Sequence, residues 1–233
     1  MRPYRICRFV QLVWDNVAIA PPSILLKVNA MTALTFPLKM DLTHVHLTDE
    51  QFYQLCISNP ELKMERNAKG ALIIMPPVGG ESGTWEMDLG GELYVWNKQT
   101  NLGKVFSSST VFKLPDGSDP CGICEAVRSP DAAWVELSRW QALTPEQRKT
   151  FPPIAPDFVI ELRSRTDDLQ TLQEKMQEYM DSGVRLGWLF NPQDQQVEIY
   201  RQGQEKVLRT LPVELSGEDV LPGFVLPVDR FTP

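Results

Sequence analysis

The chain has 233 residues, 42% hydrophobic and 23% charged, the make-up of a globular protein with an apolar core and length enough for one large domain. No stretch approaches the roughly eighteen apolar residues of a helical membrane span, so that class is excluded. A net charge of -7 and a pI near 5.0 give no global attraction to a phosphate backbone, so any nucleic-acid contact must come from a local basic patch.

Residues 1–30 have a basic start and scattered apolar residues, without a continuous signal-peptide core or helical periodicity. Residues 1–46 are therefore expected to be a poorly defined extension, with a single domain over 47–233. Thr48-Asp49-Glu50 ahead of Phe52 and Leu55 predicts a short capped helix. Ala71 to Met75, following Lys69-Gly70, predicts a turn and a strand. From Ser82 to Gln99, Trp85, Leu89, Leu93 and Trp96 recur on one face of an amphipathic helix. Gly90 and Gly91 inside it each cost about 1 kcal/mol against alanine, which predicts close packing there.

Strands are predicted over 104–108, 110–114 and 132–137. A helix over 141–151 follows, capped by Thr144 with Pro145 at its first position. Asp157 to Leu162 reads as a buried strand. Asp167 or Asp168 then caps a helix carrying Leu169, Leu172, Met176, Tyr179 and Met180 on one stripe, with Gly183 as its stop. Two strands, 186–190 and 196–201, close the pattern around a turn at Asn191-Pro192-Gln193-Asp194. The order implies an α/β (mixed α+β) fold, a mixed sheet flanked by helices.

Three residues stand out chemically. Glu161 interrupts the apolar run Phe158-Val159-Ile160-Glu161-Leu162, so its carboxylate must find a cation or a donor. It reads either as a metal ligand or general base, or as half of an ion pair with Arg163. Asp131 follows Ser129-Pro130 at the start of an apolar strand. Alone it reads as a turn residue, but beside Glu161 it completes a pair of carboxylates able to share a divalent cation. Lys175 lies about 90° from the centre of its helix's apolar stripe, where its stem can pack while the ammonium reaches toward the sheet. A solvated surface lysine is the alternative.

Asp131 in SPDAAWV, Glu161 in PDFVIELRS and Lys175 in LQEKMQEYMDSGVRLGWLFNP together resemble the Uma-type proteins, restriction-endonuclease-like members of the PD-(D/E)XK superfamily. The resemblance spans about Leu47 to Leu226. It implies a restriction-endonuclease-like sheet between helices and magnesium (or manganese) held by Asp131 and Glu161. It also implies a catalytic lysine that has moved from the strand to the following helix. Glu81, in PPVGGESG, matches a position where such folds often place a further acid. Two features depart from the pattern. DPCGICEAV reads as an insertion, and Arg163 stands where the superfamily has lysine; arginine can bind phosphate but cannot give up a proton. Lys175 therefore ranks as the catalytic cation and Arg163 as a phosphate-binding candidate.

The expectation is a metal-dependent endonuclease acting on DNA, cytoplasmic, with no membrane partner, and a homodimer by analogy with related nucleases. An inactive nuclease-like module for binding or assembly is the alternative. A weaker reading is a zinc-binding interaction protein built on Cys121 and Cys124, with only His44 and His46 as further imidazoles. Gly79-Gly80 lacks the Gly-Lys-Ser/Thr of a phosphate loop, and Trp85, Trp96, Trp134 and Trp188 read as core.

Overall fold

Thr48 starts the first helix as its spacing predicts. In the computed structural model, which describes residues 37–42, 44–45, 47–115, 125–229 and 231, its Oγ1 accepts from the Gln51 amide while Gln51 Oε1 accepts from the Thr48 amide. This reciprocal box caps α1 (Asp49–Ser58). Upstream of it, β1 (Leu38–Met40) pairs antiparallel with β3 (Leu72–Met75), so ordered pairing begins before residue 47. Between them in the chain, β2 (Lys63–Arg66) also pairs with β3, around a turn in which Gly70 has φ +78°. The sequence reading missed β2, whose four residues include three charged ones.

The long helix α2 (Gly80–Thr100) buries Leu89, Leu93 and Trp96, the predicted stripe. The predicted close packing at its glycines is not found. A Cβ on Gly90 would make only an ordinary 3.8 Å contact with Ala132, and one on Gly91 would meet nothing within 4 Å. Gly91→Ala should therefore add about 1 kcal/mol to stability in urea unfolding, since it relieves the helix-propensity cost without a clash. A loss of stability would mean that the space is filled in solution.

After α2 come β4 (Gly103–Ser107), β5 (Phe112–Lys113), β6 (Val127–Arg128) and β7 (Ala132–Glu136). Two short helices follow, α3 (Leu137–Ala142) and α4 (Pro145–Lys149), the latter capped by Thr144 with Pro145 at its start. Then come β8 (Phe158–Leu162), α5 (Leu169–Asp181), β9 (Leu186–Asn191) and β10 (Gln196–Arg201). Three strands absent from the sequence reading complete the set: β11 (Val207–Thr210), β12 (Val213–Ser216) and β13 (Val225–Val228).

Among the described residues the central sheet runs β11-β10-β9-β8-β7-β4. Its pairs are antiparallel except β8 with β9, which are parallel and joined through α5, as a parallel crossover requires. A second sheet runs β1-β3-β2-β6-β5, and β12 and β13 form a small third one. Both faces of the central sheet are covered. On one face Phe158, Ile160 and Trp188 join the α2 side chains in a core. On the other, Val159 and Leu189 pack with Leu172, Met176, Tyr179 and Met180 of α5. Gly187 allows that approach, because a Cβ there would stand 2.5 Å from the Met176 methyl. Trp96, Trp134 and Trp188 are core residues, whereas Trp85 is partly buried against Phe231.

No described helix is long and apolar enough to cross a membrane. The residue 1–30 segment, His46, Cys121 and Cys124 lie outside the described residues, whereas the end of the insertion, Glu125-Ala126-Val127, is described and leads into β6; His44 is exposed.

Candidate active site

Period-two alternation along β7 and β8 decides where the two carboxylates point. Ala133, Val135 and Val159 belong to the core on the α5 face, so Asp131 and Glu161, in the same phase, point to that face too. The register Ala132↔Ile160, carried one residue further, sets Asp131 opposite Glu161 at the end of the pair. The Asp131 amide donates to the Ile160 carbonyl at 3.0 Å, and Asp131 Oδ2 accepts from the Leu162 amide at 2.8 Å. These two bonds fix the aspartate against β8.

Helix α5 brings the remaining groups. Lys175 and Tyr179, four residues apart and hence on one face, both reach Glu161 Oε1, each at 2.8 Å. Lys175 is 6% exposed, so the surface-lysine alternative does not hold. Nor does the pairing of Glu161 with Arg163: the partners of Glu161 are Lys175 and Tyr179. Lys175 Nζ also donates to Glu65 Oε1 at 3.0 Å and to the Ser129 carbonyl at 3.3 Å. All three ammonium hydrogens thus have acceptors. Glu65, 1% exposed on β2, accepts further from the Ser129 amide at 3.1 Å and from Arg128 Nη1 at 2.9 Å.

The charge balance follows from burial and neighbours. Burial raises the pKa of Asp131, the adjacent Glu161 raises it again, and Lys175 opposes both, leaving it at about 7. Burial likewise holds the Glu161 carboxyl above its ordinary range, against the lowering by Lys175. Glu65 behaves in the opposite way: burial disfavours its charge, but Lys175 and Arg128 outweigh that and hold it at about 2. Lys175 is disfavoured as a cation by burial, yet Glu161 and Glu65 carry its pKa above the usual lysine value.

Asp131, Glu161 and Lys175 line one cavity of about 380 Å³, together with Lys63, Glu86 and Ser108. Glu81 is not among its lining residues. It is exposed in the first turn of α2, while Glu86, on a different face, reaches the cavity. Arg163 does not line it either. Its guanidinium donates to the Asp167 carbonyl and to Asn191 Oδ1, and stands 3.7 Å from Asp194. Lys63, which the sequence reading passed over, lines the cavity and makes no ion pair among the described residues.

The donor set fits a hard divalent cation. Asp131 Oδ1 and Glu161 Oε2 accept no hydrogen bond from the described residues, and the two carboxylates raise each other's cost of ionisation until a cation is shared. Among those residues no group of three or more His, Cys, Asp and Glu side chains gathers to hold a metal. Two carboxylates with the remaining positions left to water and phosphate is the pattern magnesium takes, rather than zinc.

Residues 49–229 match the Uma2 family, described as "Putative restriction endonuclease". The chain belongs to that family. Uma2 membership accounts for the mixed sheet between helices, and a solved structure shows the same fold. A protein from Anabaena variabilis ATCC 29413, described as a putative nuclease belonging to DUF820, aligns with a TM-score of 0.62 at 19% identity, covering 78% of this chain and 94% of that one. No curated protein matches the chain. This Uma2 chain thus has the restriction-endonuclease-like fold expected from its motifs.

The sequence reading missed Glu65, Arg128, Ser129 and Tyr179. Tyr179 fell on the predicted apolar stripe and was legible as core; its hydroxyl at Lys175 plus four was the available signal.

Proposed function

We propose that this chain is a divalent-metal-dependent endonuclease that hydrolyses phosphodiester bonds in DNA. The observation that carries the reading is the pair Asp131 and Glu161, facing each other at the end of adjacent strands, each with one oxygen that accepts no hydrogen bond from the described residues, beside a buried lysine on the wall of a cavity. Family membership supports it, because the Uma2 family is described as "Putative restriction endonuclease".

Asp131 and Glu161 would hold magnesium or manganese, which when bound supplies a Lewis acid for the scissile phosphate and lowers the pKa of a coordinated water. Lys175 acts as a fixed positive charge. With its pKa raised above the ordinary lysine value it keeps its proton at neutral pH, so it steadies the attacking water and the charge developing on phosphate oxygens. Tyr179 keeps Glu161 Oε1 oriented, and Lys63 places a second positive charge on the cavity wall.

The test is cleavage of plasmid and oligonucleotide DNA in magnesium, then manganese, by the wild-type chain and by Glu161→Gln. Cleavage that needs metal and disappears in Glu161→Gln is the expected result. A second reading, an inactive module, draws on the full occupancy of the Lys175 donors by protein acceptors. Folded wild-type protein that cuts nothing in either metal would favour it.

A further inference from the structure

The Lys175 ammonium has two carboxylate partners, and they differ in position. Glu161 lines the cavity that holds Asp131. Glu65 does not. It lines a second cavity of about 230 Å³ with Arg128 and Thr171, and Lys175 lines both cavities. Lys175 thus meets Glu161 on the wall of the Asp131 cavity and Glu65 on the wall of the second.

It is also the better fixed of the two. Arg128 Nη1 and the Ser129 amide bind its two oxygens. Arg128 is 4% exposed and braced in turn by Glu178, whose Oε2 accepts from Nε at 2.8 Å and Nη2 at 2.5 Å. Glu178 stands on α5, three residues after Lys175, so the chain Lys175–Glu65–Arg128–Glu178 closes on the helix where it began. A lysine has four flexible methylenes, and one anchor leaves its head free to swing. Beside the Ser129 carbonyl, this ring of alternating charge supplies a second charged anchor that does not depend on Glu161.

We propose that Glu65 is a positioning residue, holding the Lys175 ammonium on the wall of the second cavity so that Glu161 can serve the substrate side of the site. The catalytic consequence rests on the nuclease reading above; the hold on Lys175 does not.

The test compares full-length wild type, Glu65→Gln and Glu65→Asp. Glutamine keeps the volume without the charge. Aspartate keeps a charge for Arg128 but withdraws it from Lys175, which guards against a misfolded Glu65→Gln. Oligonucleotide cleavage should show kcat down about 100-fold, as small misplacements of a working group cause, with KM nearly unchanged. Glu65→Asp should fall between the two. Acetylation of Lys175 by N-hydroxysuccinimide acetate, read by mass spectrometry, should rise several-fold in Glu65→Gln.

A folded variant with wild-type kcat and with Lys175 still protected overturns the proposal, as does a fall in thermal stability alone. If wild type cleaves nothing, the nuclease reading fails, and the labelling alone then decides whether Glu65 holds Lys175.

Discussion

Lys175→Met is expected to cost about 3–5 kcal/mol of stability near pH 8, the usual result of removing one partner of a buried ion pair. Methionine is unbranched and close in length to the lysine stem, so packing against α5's neighbours is largely kept and the loss is electrostatic. It falls mainly on Glu161, which would retain only the Tyr179 hydroxyl and face Asp131 without a cation. Glu65 would keep Arg128 and the Ser129 amide.

The sign of the pH dependence follows. Without Lys175 the folded-state pKa of Glu161, already raised, rises further. The variant's deficit is then small below the ordinary value of 4.5 and grows as pH climbs toward the raised one. Glu65 contributes in the same direction: its folded pKa of about 2 gives stability above 4.5 that is lost as pH falls, and Lys175 supplies part of that lowering. Urea unfolding at pH 5 and pH 8 reads the difference. An equal loss at both would mean that the lysine matters for packing, not charge.

What the sequence disclosed about this site follows a physical rule. Glu161 was legible because one carboxylate in five apolar β-formers is costly unless partnered, whereas Asp131 alone read as a turn residue and gained weight only beside Glu161. Helix phase alone left Lys175 open between a surface lysine and a site residue, and it was the resemblance to the Uma-type motifs that ranked it as the cation. Glu65 was not legible. It sits in Lys63-Met64-Glu65-Arg66, which reads as a solvated segment, yet Glu65 and Arg66 are each 1% exposed. Their burial is made possible by distant partners. Arg66 reaches Asp49 and the carbonyls of Leu47 and Glu125, while Glu65 meets a lysine 110 residues away. No local pattern encodes such pairs.

Glu81 and Arg163 illustrate the converse limit. The helix and the strand were each placed correctly, but α2's rotation against the sheet brings Glu86 to the cavity and leaves Glu81 exposed. Arg163 follows the last residue of β8, and its side chain is taken up by Asp167, Asn191 and Asp194. A shift of one residue beyond a strand, or part of a turn within a helix, was enough to separate a motif position from the site.

Asp131→Asn should stabilise the metal-free protein at pH 8, by on the order of 2–4 kcal/mol, and leave it nearly unchanged at pH 4. Asp131 has a folded pKa of about 7 against an ordinary 3.8. Its contribution is therefore intact below 3.8, is lost progressively as pH rises toward 7, and stays lost above. Asparagine removes that titration and can still accept from the Leu162 amide, so the gain should grow across the same interval. Magnesium should reverse the order. A cation held by Asp131 and Glu161 offsets their mutual repulsion, so millimolar magnesium raises the stability of wild type at pH 8 and leaves Asp131→Asn unmoved. Unfolding in EDTA and in magnesium, for both proteins, separates the possibilities. If Asp131→Asn is destabilised at pH 8 without metal, the carboxylate serves chiefly to cap the Leu162 amide, and its charge is tolerated for structure. If it is stabilised without metal and insensitive to magnesium, the aspartate is a charge kept at a cost to the fold, as a metal-binding site requires.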